Sequence, residues 1–318
     1  MRFVYLMDPM DRVLHDKDTT FAFQRAAQAK GHTALHCELK HLYVKDGDLY
    51  ATVRSLLVGE TAPYFRLGSP ETIRVADAEA VFIRKDPPFD DAYLYATLLL
   101  ERVRGRTVIL NDPRGLRDAN EKLYPLHFAR HMPRTLVTAQ AKTVMEFVDE
   151  VGGKAVIKPL DGAGGAGVLM LTKGDKNTKS ILELLTREEK SLVMVQEYLP
   201  AVVQGDKRVL LLDGEVLGAI NRVPQADDLR SNIHVGGRVE PCEVTPAERA
   251  IVADIAPRLK EDGLVFVGLD MIGGKLTEVN VTSPTGIQEL SRHRGEDVAA
   301  KVIEWVERKA SDLQPHLP

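Results

Sequence analysis

The stretch IKPLDGAGGAGVLML, residues 157–171, sets Gly162, Gly164, Gly165 and Gly167 between two apolar runs and matches G-x-G-x-x-G letter for letter. A dinucleotide fingerprint needs a strand before the glycines and a helix directly after them, because the helix N-terminus holds the pyrophosphate. Here the glycines lead into VLMLTKGD (168–175), an apolar run that stops at a turn, so the second element reads as a strand. A P-loop ends in G-K-[ST], whereas this stretch offers Gly167-Val168. What remains is a glycine-rich β-hairpin. Its bare backbone N–H groups can approach an anion closely, and Lys158 stands on the incoming strand as a point charge. A plain surface hairpin without a ligand fits the same letters, so the choice falls to the rest of the chain.

Around the hairpin, TLVTAQ (135–140), AKTVMEFVDEVGG (141–153), KAVIKPL (154–160), TKSILELLTREE (178–189) and SLVMVQEYL (191–199) alternate strand and helix patterns and read as one small α+β unit over residues 121–200. A second unit, 201–318, opens with DKRVLLLDGEVLGAINRVP (206–224), a hairpin turning at Asp213-Gly214. It continues through the helix TPAERAIVADIAPRLKEDG (245–263) to LVFVGLDMIGGKLTEVN (264–280). Between them QADDLRSNIHVGGRVEP (225–241) is a long polar connection, expected to be functional or mobile.

Towards the N-terminus, RFVYLM (2–7) is a strand, KDTTFAFQRAAQAKG (17–31) a helix with Asp18 and Thr19 as caps and Gly31 as its stop, and TALHCEL (33–39) a strand again. That is a βαβ beginning. LYVKDGDLYATV (42–53) carries the two-residue hairpin signal Asp46-Gly47, and AVFIRKDPPF (80–89) ends a strand on a Pro-Pro loop before the helix DDAYLYATLLLERVRG (90–105). TVILNDPRGLRDANEKL (107–123) closes the region, with a boundary near residue 120. The fold class is therefore α/β and α+β: an N-terminal βαβ domain, 1–120, followed by two α+β units.

With 318 residues, 44% hydrophobic and 28% charged, the chain is long enough for two or three compact units with substantial cores. Lys and Arg total 42 against 46 Asp and Glu, and the net charge of -4 gives no global attraction to nucleic acid or to anionic lipid. Any phosphate must be bound locally. Cys37 and Cys242, the only cysteines, support neither a disulfide framework nor a cysteine metal site and fit a reducing compartment. The N-terminal apolar run is too short for a signal peptide, and no run reaches the ~18 residues of a membrane span, so a cytoplasmic protein is expected.

A second chemical signal lies in GLDMIGGKLTEVNVTSP (268–284). Glu278 and Asn280 are two apart on a strand and share a face. Asp270 lies on the partner strand. A three-residue loop would set it directly opposite Glu278, and a two-residue loop would pair it with Thr277, facing away. The first register gathers two carboxylates and an amide oxygen. Like charges directly opposite are destabilising, and a hard divalent cation such as Mg²⁺, which takes sparse oxygen sets and keeps positions for water and phosphate, would resolve that. A solvated edge hairpin with Lys275 offsetting the acids is the plain alternative.

In this order the motifs resemble a known family. MDP (7–9), KDTTFA (17–22), RKDPPFD (84–90), YATLLLE (95–101), LRDANEKL (116–123), IKPLDGAGGAGV (157–168), QEYLP (196–200), GDKRVLLLDGE (205–215), RVPQ (222–225), FVGLD (266–270) and LTEVNVTSPTGI (276–287) are similar, in sequence order and spacing, to those of the prokaryotic glutathione synthetases, ATP-grasp ligases whose two α+β subdomains clasp ATP and Mg²⁺ behind a pre-ATP-grasp substrate domain. The resemblance implies that the carboxylate of gamma-glutamylcysteine attacks the γ-phosphate of ATP and that glycine then displaces phosphate from the acyl phosphate, giving glutathione, ADP and phosphate.

It also implies residue roles. Lys122 and Lys158 would meet the ATP phosphates, Gly162, Gly164, Gly165 and Gly167 would close over them as a flap, and Glu197, Tyr198 and Leu199 would read adenine. Arg208 would neutralise charge on the transferred phosphoryl group. Asp270, Glu278 and Asn280 would bind two Mg²⁺ ions, with Mn²⁺ as a substitute. Arg222 and Arg230 would pair with substrate carboxylates as the long loop closes, joined by Asn232. Ser283, Thr285, Gly286 and, from the first domain, Arg84 would contact the peptide.

The family is commonly a tetramer, which implies a homo-oligomer here. Ile233, His234 and Val235 are bulkier than the family pattern, and beyond Gly286 the match weakens to a terminal amphipathic helix, SRHRGEDVAAKVIEWVERKA (291–310). Two other readings stay open: an ATP-grasp ligase joining a different acid and amine, and a non-catalytic ATP-binding regulatory module on the same fold.

Overall fold

The computed structural model describes residues 1–224 and 238–313. Arg230, Asn232 and His234, with most of the 225–241 connection, lie outside the described residues.

Three sheets follow one another along the chain. The first has seven strands, β1 (Arg2–Leu6), β2 (Thr33–Cys37), β3 (Leu42–Lys45), β4 (Asp48–Val58), β5 (Phe65–Arg74), β6 (Ala80–Ile83) and β7 (Val108–Leu110), in the order β3-β4-β2-β1-β6-β7 with β5 on the other edge of β4. Its parallel part, β2-β1-β6-β7, comes from the expected βαβ beginning. The long antiparallel partner β5 carries Pro70 and alternates poorly, so the sequence pattern did not mark it. Helix α1 (Thr19–Ala29) starts where Asp18 accepts a hydrogen bond from Phe21 N at 2.7 Å, the N-cap geometry that satisfies an otherwise orphan donor, and stops before Gly31 at φ +79°. Helices α2 (Asp91–Leu100) and α3 (Pro113–Asp118) follow, each capped by an aspartate side chain.

The second sheet has the order β10-β9-β11-β8, from β8 (Thr135–Thr138), β9 (Lys154–Pro159), β10 (Leu169–Thr172) and β11 (Val193–Glu197), with helices α4 (Ala141–Glu150) and α5 (Thr178–Leu185) against it. The opening stretch is a hairpin between antiparallel β9 and β10, as its reading required. The third sheet runs β14-β13-β12-β15-β16, from β12 (Asp206–Leu212), β13 (Glu215–Val223), β14 (Arg238–Pro241), β15 (Phe266–Ile272) and β16 (Lys275–Asn280), with α6 (Pro246–Glu261) packed on it. Both expected two-residue turns are present, with positive φ at Asp46 and Gly47 and at Asp213 and Gly214. The terminal amphipathic segment is not one helix: α7 (Ile287–Arg294) ends at Gly295, φ +65°, and α8 (Val298–Leu313) begins after it.

The apolar side chains form three clusters. The second sheet has its own, built on Val144, Val148, Ile157, Leu171, Leu182 and Val195. The other two each mix residues of the first and third sheets. Leu6, Leu35 and Ile83 join Val209, Leu269 and Val279, while Phe3, Phe23 and Phe82 join Leu210, Phe266 and Val302 of α8. Residues far apart in sequence thus share one interior.

A polar joint runs through the same contact. Buried Asn111 donates from Nδ2 to the Phe266 and Val281 carbonyls at 2.9 and 2.7 Å and accepts at Oδ1 from Val265 N and Phe266 N at 2.8 and 2.7 Å.

Candidate active site

The turn of the β15–β16 ribbon has two residues, Gly273 and Gly274, at φ +57° and +75°, so that Ile272 pairs with Lys275. That loop length would have turned Asp270 away from Glu278. A β-bulge between Asp270 and Met271 absorbs Thr277 as the extra residue, and Asp270 pairs with Glu278 and Gly268 with Asn280. The shared face therefore comes from a bulge rather than from a three-residue loop.

On the neighbouring strands the register sets two further pairs. Arg208 on β12 stands opposite Asp270 on β15, and Asp206 on β12 opposite Arg222 on β13. Arg208 donates from Nε and Nη2 to the two Asp270 oxygens at 2.8 and 2.7 Å, and Arg222 Nη2 lies 2.9 Å from Asp270 Oδ2 and 2.6 Å from Asp206 Oδ2. Burial alone would raise the Asp270 carboxyl; Arg208 and Arg222 outweigh it and hold that carboxyl well below the usual carboxylate range. Burial works against the Arg222 cation too, but Asp206 and Asp270 more than offset it and raise its pKa.

These side chains open onto a cavity of about 550 Å³ between the second and third sheets, a volume typical of small-ligand sites. Lys158 enters it from β9, with its ammonium 2.8 Å from Gln196 Oε1. Burial lowers the Lys158 pKa, and the Glu278 and Asp206 charges oppose that shift without cancelling it. Gln196 is a neutral acceptor, which aims the ammonium without neutralising it. Lys122 reaches the cavity from the first link between the sheets: its Nζ lies 3.2 Å from Glu278 Oε1 and also contacts the Gly162 carbonyl.

Gly162, Gly164 and Gly165 line the cavity, whereas Gly167 stands behind them against Pro159, where a Cβ would meet the ring at 2.9 Å. Glu197, Tyr198 and Leu199 form another part of the wall, and Glu197 is tied back by Arg134 N at 3.0 Å. Ser283 and Thr285 also line the cavity, Thr285 Oγ1 lying 3.4 Å from Arg208 Nη1. Gly286 does not; at φ +116° it starts α7 where a Cβ would meet Ile220 Cδ1 at 2.8 Å.

Arg84 is placed apart from the main cavity. It lines an adjoining space of about 300 Å³ with Asp8, Arg12 and Asp86. Its guanidinium is buried, donates to Thr20 Oγ1 at 3.1 Å and to the Pro284 carbonyl at 3.0 Å, and lies 5.6 and 5.7 Å from the Phe23 and Phe266 ring centroids. Burial depresses its pKa, with Asp18 and Asp86 opposing.

Several cavity residues escaped the sequence reading. Gln196 was legible only as part of a strand, Asp18 only as a helix cap, and Glu121 only as a neighbour of Lys122, yet all three line the main cavity. Glu289, at the start of α7, is another. Adjacency to the lysine of NEK was the one available signal for Glu121.

A divalent cation fits this donor set. Asp270, Glu278 and Asn280 face one cavity and offer only oxygen, the chemistry of Mg²⁺ or Mn²⁺ sites. Among the described residues no three His, Cys, Asp or Glu side chains form a group that could hold a metal ion. Beside this set, burial raises the Glu121 carboxyl and nearby Glu278 raises it further, against the hydrogen bonds from Thr282 and Val281.

The matches to known proteins agree with this geometry. Over the whole chain the fold is similar to the solved D-cycloserine synthetase DcsG, with a TM-score of 0.68 at 18% identity covering 98% of this chain and 100% of that one. It is likewise similar to the ATP-grasp ligase PsnB complexed with the precursor peptide PsnA2 and AMPPNP, with a TM-score of 0.62 at 17% identity covering 97% of each. At such identities the likeness establishes the ATP-grasp fold.

Residues 1–117 match the N-terminal domain of prokaryotic glutathione synthetase, and residues 121–295 match its ATP-grasp domain. Relatives named glutathione synthetase include those of Thermosynechococcus vestitus, 43% identical over 96% of this chain and 99% of the relative, and of Synechococcus elongatus, 44% identical over 96% and 98%. That of Agrobacterium fabrum is 43% identical over 95% of each. The chain belongs to the prokaryotic glutathione synthetase family. It is an ATP-dependent ligase, and among its described residues no helix is long and apolar enough to cross a membrane.

Proposed function

We propose that the protein joins gamma-glutamylcysteine to glycine at the expense of ATP. The observation that carries this reading is the convergence on one cavity of two lysines, the glycine hairpin, Arg208 and the Asp270–Glu278–Asn280 oxygen set, on a chain that matches this family over residues 1–117 and 121–295. Phosphoryl transfer needs positioning and charge neutralisation rather than covalent chemistry from the enzyme, and these residues supply both.

In the first step a carboxylate oxygen of the dipeptide attacks the γ-phosphorus of ATP and ADP leaves. In the second the glycine nitrogen attacks the acyl carbon, phosphate departs, and the amine gives up a proton as the amide forms. Lys122 and Lys158 hold the phosphates, and the hairpin of Gly162, Gly164 and Gly165 covers them with backbone N–H groups. Glu197, Tyr198 and Leu199 receive adenine.

Asp270, Glu278 and Asn280 would hold two Mg²⁺, or Mn²⁺, whose charge when bound neutralises phosphate oxygens. Arg208, already beside Thr285 Oγ1, faces the place where negative charge builds. Ser283 and Thr285 meet the peptide, and Arg230 and Asn232, outside the described residues, are assigned to the substrate carboxylates by the family pattern alone. In this division of labour residues 1–120 receive the acid substrate, while 121–200 and 201–318 clasp the nucleotide.

The test is ADP release from Mg²⁺-ATP with gamma-glutamylcysteine and glycine supplied separately and together. Release that requires both is expected. Release with a different acid and amine pair alone would make the protein a sister ligase, and no release with any pair would leave only a nucleotide-binding role.

A further inference from the structure

Asn120, Glu121 and Lys122 cross from the glycine hairpin to β16, and each grips something different. Asn120 Nδ2 donates to the Leu160 carbonyl, at the root of the hairpin, at 3.1 Å, and Asn120 Oδ1 accepts from Lys122 N and Leu123 N, both at 3.1 Å. Lys122 touches the Gly162 carbonyl and Glu278. Glu121 holds the strand itself: its carbonyl accepts from Val279 N at 3.0 Å, and its Oε1 accepts from Val281 N at 2.8 Å, Thr282 N at 2.9 Å and Thr282 Oγ1 at 2.8 Å. Three backbone amides between residues 279 and 282 therefore end on one glutamate, and the residues they bracket include Asn280.

β16 is the last strand of its sheet, with β15 as its only neighbour in the sheet order. An edge strand has nothing on its outer side to fix where its final residues sit. On its outer side Glu121 accepts from Val279, Val281 and Thr282, beside the Lys122–Glu278 contact, and so helps to fix where Glu278 and Asn280 sit relative to Lys122. We propose that Glu121 is a positioning residue of the ligase: by accepting from residues 279–282 it holds the oxygen donors Glu278 and Asn280 in register with Lys122 and the glycine hairpin. Its role is to accept hydrogen bonds, and its charge is dispensable. Groups that orient metal donors in this way are worth about 10–100-fold in metal affinity or activity.

The proposal rests on the nucleotide-binding ligase reading, and the experiment separates the two. Binding of a non-hydrolysable ATP analogue is followed by calorimetry as Mg²⁺ is titrated, with ADP release and thermal melting measured beside it, for wild type, Glu121→Gln, Glu121→Ala and Thr282→Val. Mg²⁺-dependent analogue binding by wild type establishes the reading on which the variants are compared, and its absence would sink that reading independently of any variant.

Glu121→Gln, whose amide oxygen can accept from Val281 N, Thr282 N and Thr282 Oγ1 as the carboxylate does, is expected to stay within about threefold of wild type in the Mg²⁺ concentration required. Glu121→Ala is expected to need about tenfold more Mg²⁺ or beyond, with kcat lowered and Mg²⁺-free analogue binding unchanged. Thr282→Val, which removes the hydroxyl that donates to Glu121 Oε1, should fall between them. Unchanged Mg²⁺ dependence in folded Glu121→Ala would overturn the proposal, and so would Glu121→Gln as impaired as Glu121→Ala. Should the alanine variant fail to fold, Thr282→Val decides: a Mg²⁺ requirement equal to wild type would then overturn it.

Discussion

The Asp270 carboxylate meets guanidinium nitrogens at 2.8, 2.7 and 2.9 Å inside the protein, and the charge balance of the site depends on that meeting. Its folded-state pKa lies below that of an unfolded aspartate, burial being outweighed by Arg208 and Arg222. The ionised group therefore contributes its full stability at pH values above the ordinary carboxylate range, and the contribution is lost as pH falls through that range towards the folded value. Removing one partner of a buried pair leaves the other charges uncompensated, which costs about 3–5 kcal/mol. Asp270→Ala is expected to lose that much in urea unfolding at neutral pH, with the gap to wild type narrowing in acid.

Glu278 stands at the cavity surface, its side chain 22% exposed. Glu278→Ala should abolish ADP release while changing stability by less than about 1 kcal/mol. A Glu278→Ala protein with full activity would remove the metal assignment. The letters of GLDMIGGKLTEVN disclosed the carboxylates, but the arginines that hold Asp270 come from β12 and β13 and meet it only through sheet register, which a single sequence does not display.

At the scale of elements, the glycine hairpin between β9 and β10 combines open and crowded positions. Gly164 has φ +61° with nothing within 4 Å of a Cβ, so an alanine there meets only the backbone strain of the left-handed region, about 1–2 kcal/mol. Gly162 has no such φ, but a Cβ would lie 2.8 Å from the Ala166 carbonyl oxygen. Gly162→Ala is expected to raise KM for ATP by tenfold or more and Gly164→Ala by several-fold, with thermal midpoints near wild type because the hairpin packs little of the core; steady-state kinetics against ATP check both. Equal KM values in all three proteins would mean that the hairpin does not shape the nucleotide site.

The turns Asp46-Gly47 and Asp213-Gly214 were legible because only certain residues accept positive φ at both central positions. The β15–β16 register was not, since a bulge leaves no signature in the pattern of side chains. Strand β5 lacks the alternation that marks a strand, and a single residue, Gly295, marks the split between α7 and α8 inside an otherwise amphipathic run.

Across the whole molecule, the first and third sheets share two apolar clusters while the second keeps its own. Asn111 sits in the shared contact, and Asn111→Ala would leave four backbone groups, at the entry to β15 and just after β16, without their buried partner. At about 1–3 kcal/mol for each buried group left unsatisfied, part of it regained by water, a loss of about 3 kcal/mol or more is expected. Hydrogen exchange should show protection falling in β1, β6, β12 and β15 together and remaining unchanged in β9 and β11. A loss confined to β7 would contradict the shared interior. The sequence made the three units visible through their separate patterns, but which pairs fuse depends on contacts more than a hundred residues apart, such as that of Asn111 with Phe266.

The same fusion limits how new specificity can be built on this scaffold. Arg84, reaching from the end of β6 to the Pro284 carbonyl, sets a residue of the first domain directly behind Ser283 and Thr285. A chimaera that transplants a foreign N-terminal module in search of another acid substrate would sever that anchor and the Asn111 joint at once. Successful grafts must therefore import equivalents of both residues, or exchange the module together with the 281–286 segment against which it was shaped.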